Sequence, residues 1–315
     1  MNEQSMKYIS TVDMTREEWL DIRRKSIGGS DAAAIIGLSK WATPYTVWAE
    51  KTGRLPEKED TEAMRLGRDL EKYVAERWCE ETGKRVRRRN AIIYNEAYPF
   101  AHANVDRLVI GEDAGLECKT TGTLDIRKFQ GADFPEQYYA QCVHYMAVTG
   151  ASKWYLAVLV YGRGFFTFEL ERDQAEIDAL MEAERRFWSE YIEPDTAPAP
   201  DGEAPTSDAI STIYAEDNGG SVELFGRDVL LKERKDLKAQ ADEIGKRITE
   251  IENIIKEDMG EAERGTVGDW SVSWKAQTRS TFQAKEFAKA HPEIDLKPYY
   301  KTSASRVFRV TEASA

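Results

Sequence analysis

Apolar residues recur along this chain at helical spacing over some stretches and in alternation or continuous runs over others, so an ordered series of helices and strands can be read directly. Thr15-Arg-Glu-Glu18 ahead of Trp19 and Leu20 is a capping box that opens a helix running to about Arg24. Further helices are predicted over 45–52, ended by Gly53, and over 61–82, ended by Gly83. In the second of these Met64, Leu66, Leu70, Tyr73, Val74 and Trp78 share an apolar side and Glu71 sits at its edge. A carboxylate in that position serves either as an ion-pair partner or as a reach into a metal site. Ala91-Ile-Ile-Tyr94 reads as a strand, and 100–110 with 115–120 as a central hairpin joined through Gly111-Glu-Asp-Ala-Gly115. A helix over 135–149 carries Gln137, Gln141 and His144; the apolar strand 154–161 follows and turns at Gly162-Arg-Gly164 into Phe165-Phe-Thr-Phe168. A helix from Asp173 to about Tyr191 closes this part.

Beyond it the pattern changes. Pro194 to Pro205 is rich in Pro and Ala and sustains neither helix nor sheet ladder, which marks a linker. Three parts are expected: 1–193 as the main domain, 194–225 as a Pro-rich acidic linker and 226–315 as an extension. In the extension Leu230, Leu237, Ala241, Ile244, Ile248, Ile251 and Ile255 recur at alternating steps suited to a coiled-coil or helical-hairpin partner. Trp270-Ser-Val-Ser-Trp274 alternates as a strand, with Ser303 to Val310 as its expected companion. From Trp270 to Val310 there are eight Lys or Arg against three Asp or Glu, which fits either a nucleic-acid contact or a small basic cap.

Composition narrows the class. The chain has 315 residues, 41% of them hydrophobic, enough for a substantial core. No run of about 18 apolar residues suggests a membrane span, and Met1-Asn-Glu-Gln-Ser lacks the apolar core of a signal peptide, so a cytoplasmic location is expected. Cys79, Cys118 and Cys142 are too scattered for a disulfide framework, and no Cys-x-x-Cys pair points to zinc or an iron-sulfur cluster. A formal net charge of -12 argues against nonspecific coating of nucleic acid but leaves room for a local basic channel.

The candidate chemistry lies at the hairpin. Alternation sends Glu117 and Lys119 to one face and Cys118 to the other, and Asp106 on the preceding strand can meet Glu117 across the ladder. Two carboxylates and an amine at one sheet edge suit a hard divalent cation and a water held for attack on a phosphodiester. Upstream, Arg23-Arg-Lys25 precedes Ser26-Ile-Gly-Gly-Ser30-Asp, where a glycine turn enters a small-residue helix near Ser30. That junction fits a phosphate, or a cap with close helix packing; the glycines do not match a P-loop. The run Lys84-Arg-Val-Arg-Arg-Arg89 is either a solvated edge or a backbone-phosphate contact.

Asp106, ten residues, then Glu117-x-Lys119, flanked by a helix with Glu71 and a helix with Gln141, resembles the PD-(D/E)XK nuclease superfamily. Its α/β fold has a mixed central sheet flanked by helices. Arg23 with Ser30, Gly67-Arg-Asp-Leu-Glu71, Asn104-Val-Asp106-Arg, Leu116-Glu117-Cys-Lys119 and Tyr139-Ala-Gln141 together resemble, more narrowly, the YqaJ-type, lambda-exonuclease-like viral recombinases over about residues 15–190. The resemblance implies a 5′ to 3′ exonuclease on linear duplex DNA that leaves 3′ single strands for a single-strand annealing recombinase. It implies Mg²⁺, with Mn²⁺ able to substitute and one or two ions per site, held by Asp106, Glu117, the Cys118 backbone carbonyl and Glu71. Lys119 then activates or positions the water, Gln141 supports the site, and Arg23 and Ser30 engage the terminal 5′-phosphate. A homo-oligomeric ring and, for a phage-encoded member, the bacterial host cytoplasm also follow from the resemblance. The rival readings are an endonuclease or repair helper on the same core, and a noncatalytic DNA-binding scaffold.

Overall fold

The computed structural model describes residues 6–57, 59–123, 127, 134–301 and 304–312. They divide into two compact units, one ending at Tyr214 and one beginning at Ala215. In the first unit β1 (Met6–Ser10) leads to α1 (Arg16–Arg24), β2 (Ile27–Gly28), α2 (Gly29–Ile35), α3 (Pro44–Lys51) and α4 (Glu62–Thr82). Then come β3 (Val86–Arg87), β4 (Ala91–Asn95), β5 (Ala101–Ala103), β6 (Arg107–Val109), β7 (Ala114–Thr121) and α5 (Glu136–Thr149). The unit ends with β8 (Lys153–Val160), β9 (Gly164–Glu171), α6 (Gln174–Phe187) and α7 (Ala204–Ile213). The predicted helix starts are real: Thr15 and Glu18 form the capping box of α1, and the Thr43 and Thr61 side chains cap α3 and α4.

Five strands form a mixed sheet in the order β3-β6-β7-β8-β9, and four form a second sheet in the order β1-β4-β5-β2. Only β7 and β8 run parallel in the first sheet, and α5 lies on the crossover that a parallel pair requires. The stretch 100–110 expected as one strand is two, β5 in one sheet and β6 in the other, with the break at residues 104–106. That break puts Asp106 at the mouth of the β6–β7 hairpin, one residue beyond the Arg107↔Leu116 pair.

Alternation along β7 then sorts its side chains. Leu116 and Cys118 pack with Val74, Ala75 and Trp78 of α4. Gly115 pairs with Trp154 of β8 on the face covered by α5, and a Cβ on Gly115 would lie 2.3 Å from the Trp154 ring, so only glycine fits. The buried stripe of α4 is narrower than the apolar pattern suggested, because Met64 and Tyr73 are exposed.

The boundary of the first unit lies later than the expected break at residue 193. Pro198 is buried, Asp195 receives a bidentate contact from Arg54 at 2.7 and 2.9 Å, and the Thr206 hydroxyl meets that of Thr43 at 2.7 Å. Pro205 does not break α7 because it sits in the first turn, where its fixed φ is already helical and its missing N–H is not needed.

The second unit contains α8 (Asp228–Met259), β10 (Arg264–Val267), β11 (Trp270–Ser273) and α9 (Ala284–Ala290). The long helix is as predicted, but the partner of the Trp270 strand is β10, the segment just before it, and not 303–310. A tight turn pairs neighbours in sequence at lower entropic cost than a thirty-residue excursion. Ser303 itself lies outside the described residues.

Candidate active site

The site is built on β7. Glu117 is 2% exposed and has one oxygen, Oε1, in contact with the Lys119 Nζ at 2.5 Å and with the Gln141 amide, whose Nε2 donates at 2.8 Å. The second oxygen, Oε2, is buried with no hydrogen-bond partner among the described residues. An unsatisfied buried carboxylate oxygen costs several kcal/mol in order of magnitude, so something polar or cationic is expected to meet it. Asp106 faces the same place from the hairpin mouth. Its Oδ2 accepts from the Cys118 amide at 2.8 Å, a group that short β6 leaves without a ladder partner on that side. In an extended strand the N–H and C=O of one residue point the same way, so the Cys118 carbonyl also faces the Asp106 edge.

Electrostatics mark these groups as a unit. Burial, and then the Glu117 carboxylate, push the Asp106 carboxyl well above the ordinary range. Burial alone would lower the Lys119 ammonium, but Glu117 and Asp106 outweigh it and hold the group above its ordinary value. Lys119 is therefore a cation in this arrangement, suited to orienting water and offsetting negative charge. Burial likewise drives the Cys118 thiol well up, which makes it an inert side chain on the α4 face.

Glu71 faces Arg107 from α4. Its carboxylate is bound by Arg107 at 2.5 Å and approached by Arg88 at 3.5 Å, and among the described residues no three His, Cys, Asp or Glu side chains converge as a metal cluster. The reason is alternation: Arg107, next to Asp106, turns to the α4 side of the hairpin, where Glu71 meets it. Arg107 also donates to the Asp106 carbonyl at 2.7 Å and so braces the hairpin mouth. Arg107 has no motif of its own in the sequence; its place opposite Asp106 in the strand alternation is the signal that marks it.

Arg23 and Ser30 do come together. The Arg23 Nη2 donates to Ser30 Oγ at 2.8 Å, and its guanidinium lies over the Trp19 ring at 4.4 Å. Beneath them is a buried support absent from the sequence reading. Lys51 donates to the carbonyls of Arg23 and Ser26, both at 2.8 Å, and pairs with Asp31 at 2.6 Å. Asp31 in turn accepts from the Gly28 amide at 2.9 Å. Burial would raise the Asp31 carboxyl, but Lys51 and Arg23 hold it well below the ordinary range. The α1–α2 turn is thus fixed by an ion pair, and the amide at Gly28 is already used by Asp31.

The two halves of the site are joined through α5. Gln141 also donates to the Tyr145 hydroxyl at 2.8 Å, and the Tyr145 ring lies against Gly29 at the start of α2. On the outside a cleft of about 300 Å³ runs between Trp19, Arg88, Arg89, Asn104, Asp106 and Glu71. The end of the basic run thus lines the approach to Asp106, while Lys84 at its start pairs with Glu112. His144, buried between Glu184 at 2.8 Å and the His102 carbonyl at 2.8 Å, is a core contact.

A mixed sheet flanked by helices, with Asp106, Glu117 and Lys119 brought to one edge, is the arrangement of the PD-(D/E)XK class that the sequence resembles. Residues 18–152 match the model of the YqaJ-like viral recombinase domain. Uncharacterized protein YqaJ of Bacillus subtilis (strain 168) is 38% identical over 307 residues, covering 96% of each chain. The chain belongs to the YqaJ-like viral recombinase family. Among solved structures, an alkaline exonuclease of Laribacter hongkongensis, LHK-Exo, aligns with a TM-score of 0.49 and 23% identity, over 57% of this chain and 93% of its own. A phage related exonuclease from Haemophilus somnus 129PT aligns with a TM-score of 0.42 and 13% identity, over 56% of this chain and all of its own. No helix among the described residues is long and apolar enough to cross a membrane.

Proposed function

We propose that this protein is a divalent-metal-dependent exonuclease that degrades the 5′ strand of linear duplex DNA and leaves 3′ single strands. The observation that carries the reading is the buried Glu117 Oε2, without a partner among the described residues, beside Lys119 and across the hairpin mouth from Asp106. Asp106, Glu117 and the Cys118 carbonyl supply oxygen donors of the kind Mg²⁺ prefers, with the remaining positions left to water. When bound, such an ion polarises the phosphodiester and lowers the pKa of a coordinated water.

The protein's own groups do the rest. Lys119 orients the attacking water and offsets charge that develops on the phosphoryl oxygens. Gln141 holds Glu117 in place from α5, and Glu71 acts through Arg107 on the hairpin mouth. Attack on phosphorus breaks the P–O3′ bond, releases a nucleotide and leaves a new 5′-phosphate on the shortened strand. Arg23 and Ser30 offer a charged and a neutral donor to that phosphate, and the Lys51–Asp31 pair fixes the turn that presents them. Residues Arg88 and Arg89 along the cleft favour the duplex backbone although the whole chain is acidic. Family membership also supports delivery of the 3′ strand to a single-strand annealing recombinase and assembly as a ring.

The direct test is digestion of a 5′-phosphorylated linear duplex in Mg²⁺, in Mn²⁺ and in chelator, with a covalently closed plasmid alongside. Loss of the linear substrate only with metal, and an intact plasmid, are expected; nicking of the plasmid would replace this reading by an endonuclease. Arg23→Ala is expected to reduce the preference for 5′-phosphorylated over 5′-hydroxyl ends about tenfold or more, the scale of a lost charge-assisted hydrogen bond. Equal loss on both ends would remove Arg23 from phosphate binding.

A further inference from the structure

Helix α8 has no buried residue, yet it carries a continuous apolar seam. Leu237, Ala241, Ile244, Ile248, Ile251 and Ile255 follow one another at steps of four and three, and the five larger side chains are 37 to 62% exposed. Nineteen helical residues extend about 27 Å, a long stripe of Leu and Ile to leave in water. Among the described residues near the C-terminus, Phe308 lies under Arg234 at 5.6 Å and Glu312 binds Lys235 at 2.8 Å, both at the first turns of α8.

We propose that this seam packs against the same seam of other copies of this chain, parallel and in register, as a coiled coil. The steps assign Ala241, Ile248 and Ile255 to the a positions and Leu237, Ile244 and Ile251 to the d positions. Glu233 and Arg247 then fall at g, and Lys238 and Glu252 at e. In a parallel, in-register pair each g residue meets the partner's e residue five places on. Glu233 therefore faces Lys238 of another copy and Arg247 faces its Glu252, opposite charges both times. Between them Gln240 meets Gly245, and beyond them Ile254 meets Met259, neither pair carrying charge. An antiparallel pair that kept the same seam packed would set Leu237 against Ile255, Ala241 against Ile251 and Ile244 against Ile248, and would bring the two like-charged Arg247 side chains together at its centre. The flanking charges thus point to a second copy in the parallel register, where both charged g–e pairs are opposite and no like charges meet.

Cysteine cross-linking of the full chain tests this without reference to nuclease activity. Ile244→Cys, at a d position, is expected to form covalent dimers under mild oxidation at a yield several-fold above Glu243→Cys on the outer face. The parent chain with its three native cysteines gives the background. Lys238→Glu is expected to lower the Ile244→Cys yield, and Glu233→Lys added to it to restore the yield, because the swapped charges again match. All these positions are exposed, and far-UV circular dichroism checks that each variant is folded. Equal yields from Ile244→Cys and Glu243→Cys would overturn the proposal. So would cross-links that form only between Ile244→Cys and Ile248→Cys chains in a mixture, the signature of an antiparallel pair.

Discussion

Lys119→Ala is expected to slow Mg²⁺-dependent degradation of linear duplex by about 100-fold or more while the protein stays folded, the usual scale for removing one preorganised charge-stabilising donor. Lys119 lies at the outer end of the β7 face, its ammonium 2.5 Å from Glu117 and near the Tyr138 ring. Its side chain is a quarter exposed, so truncation opens space toward solvent and does not leave a sealed cavity. The strand itself keeps its full register with β8, from Ala114 to Thr121. What disappears is the cation that offsets the Asp106 and Glu117 carboxylates. Both the held water and the developing phosphoryl charge then lose their partner. Lys119→Arg keeps the charge but presents a planar fork in place of a compact ammonium, and partial recovery is expected from it. Single-turnover rates on an end-labelled duplex, with thermal melting of each variant, separate these outcomes. Undiminished digestion by Lys119→Ala would sink the assignment of the site.

Much of this site was legible in the residue pattern for a simple reason. Alternation along a strand is rigid, so Glu117 and Lys119 share a face whatever surrounds them, and a two-sheet break at 104–106 still leaves Asp106 beside Glu117. Caps are equally local, which is why α1 begins after the Thr15 capping box as expected, and α3 and α4, capped by Thr43 and Thr61, begin within a residue of the expected starts. Interactions across the sheet or between distant segments carry no such periodic signal. The pairing of Glu71 with Arg107 spans 36 residues and depends on which side of the hairpin each occupies, so the residue pattern does not announce it. The Lys51–Asp31 pair beneath Arg23 was invisible for the same reason, as was the docking of the Pro-rich segment through Arg54–Asp195 and Thr43–Thr206. A proline run announces the loss of ladder and helix hydrogen bonds; it does not announce that the segment leaves the fold.

Asp106→Asn is expected to abolish digestion and yet raise the melting temperature of the metal-free protein. Asp106 is buried against a second carboxylate, Glu117, and its carboxyl is pushed well above the ordinary range by burial and by that neighbour. Its ionisation therefore opposes folding, by about 1.4 kcal/mol for each pKa unit of elevation. The sign follows from proton linkage. Below the unfolded-state pKa, about 4, Asp106 is protonated in both states and costs nothing; as pH rises toward its folded-state value the cost accumulates. At neutral pH the neutral amide removes it and can still accept from the Cys118 amide, so a gain of a few degrees is expected, fading toward pH 4. Mg²⁺ reverses the comparison. A cation that binds only the folded protein stabilises it by mass action, about 2.7 kcal/mol at one hundred times its dissociation constant, and this term falls on the parent chain. The parent is thus expected to melt higher on addition of Mg²⁺ and Asp106→Asn to respond little. Melting curves at pH 4 and 7, with Mg²⁺ and with chelator, read both effects together. A variant that is less stable than the parent in chelator, or that gains as much from Mg²⁺, would mean that Asp106 is a structural hydrogen-bond acceptor and that the buried pair holds no metal.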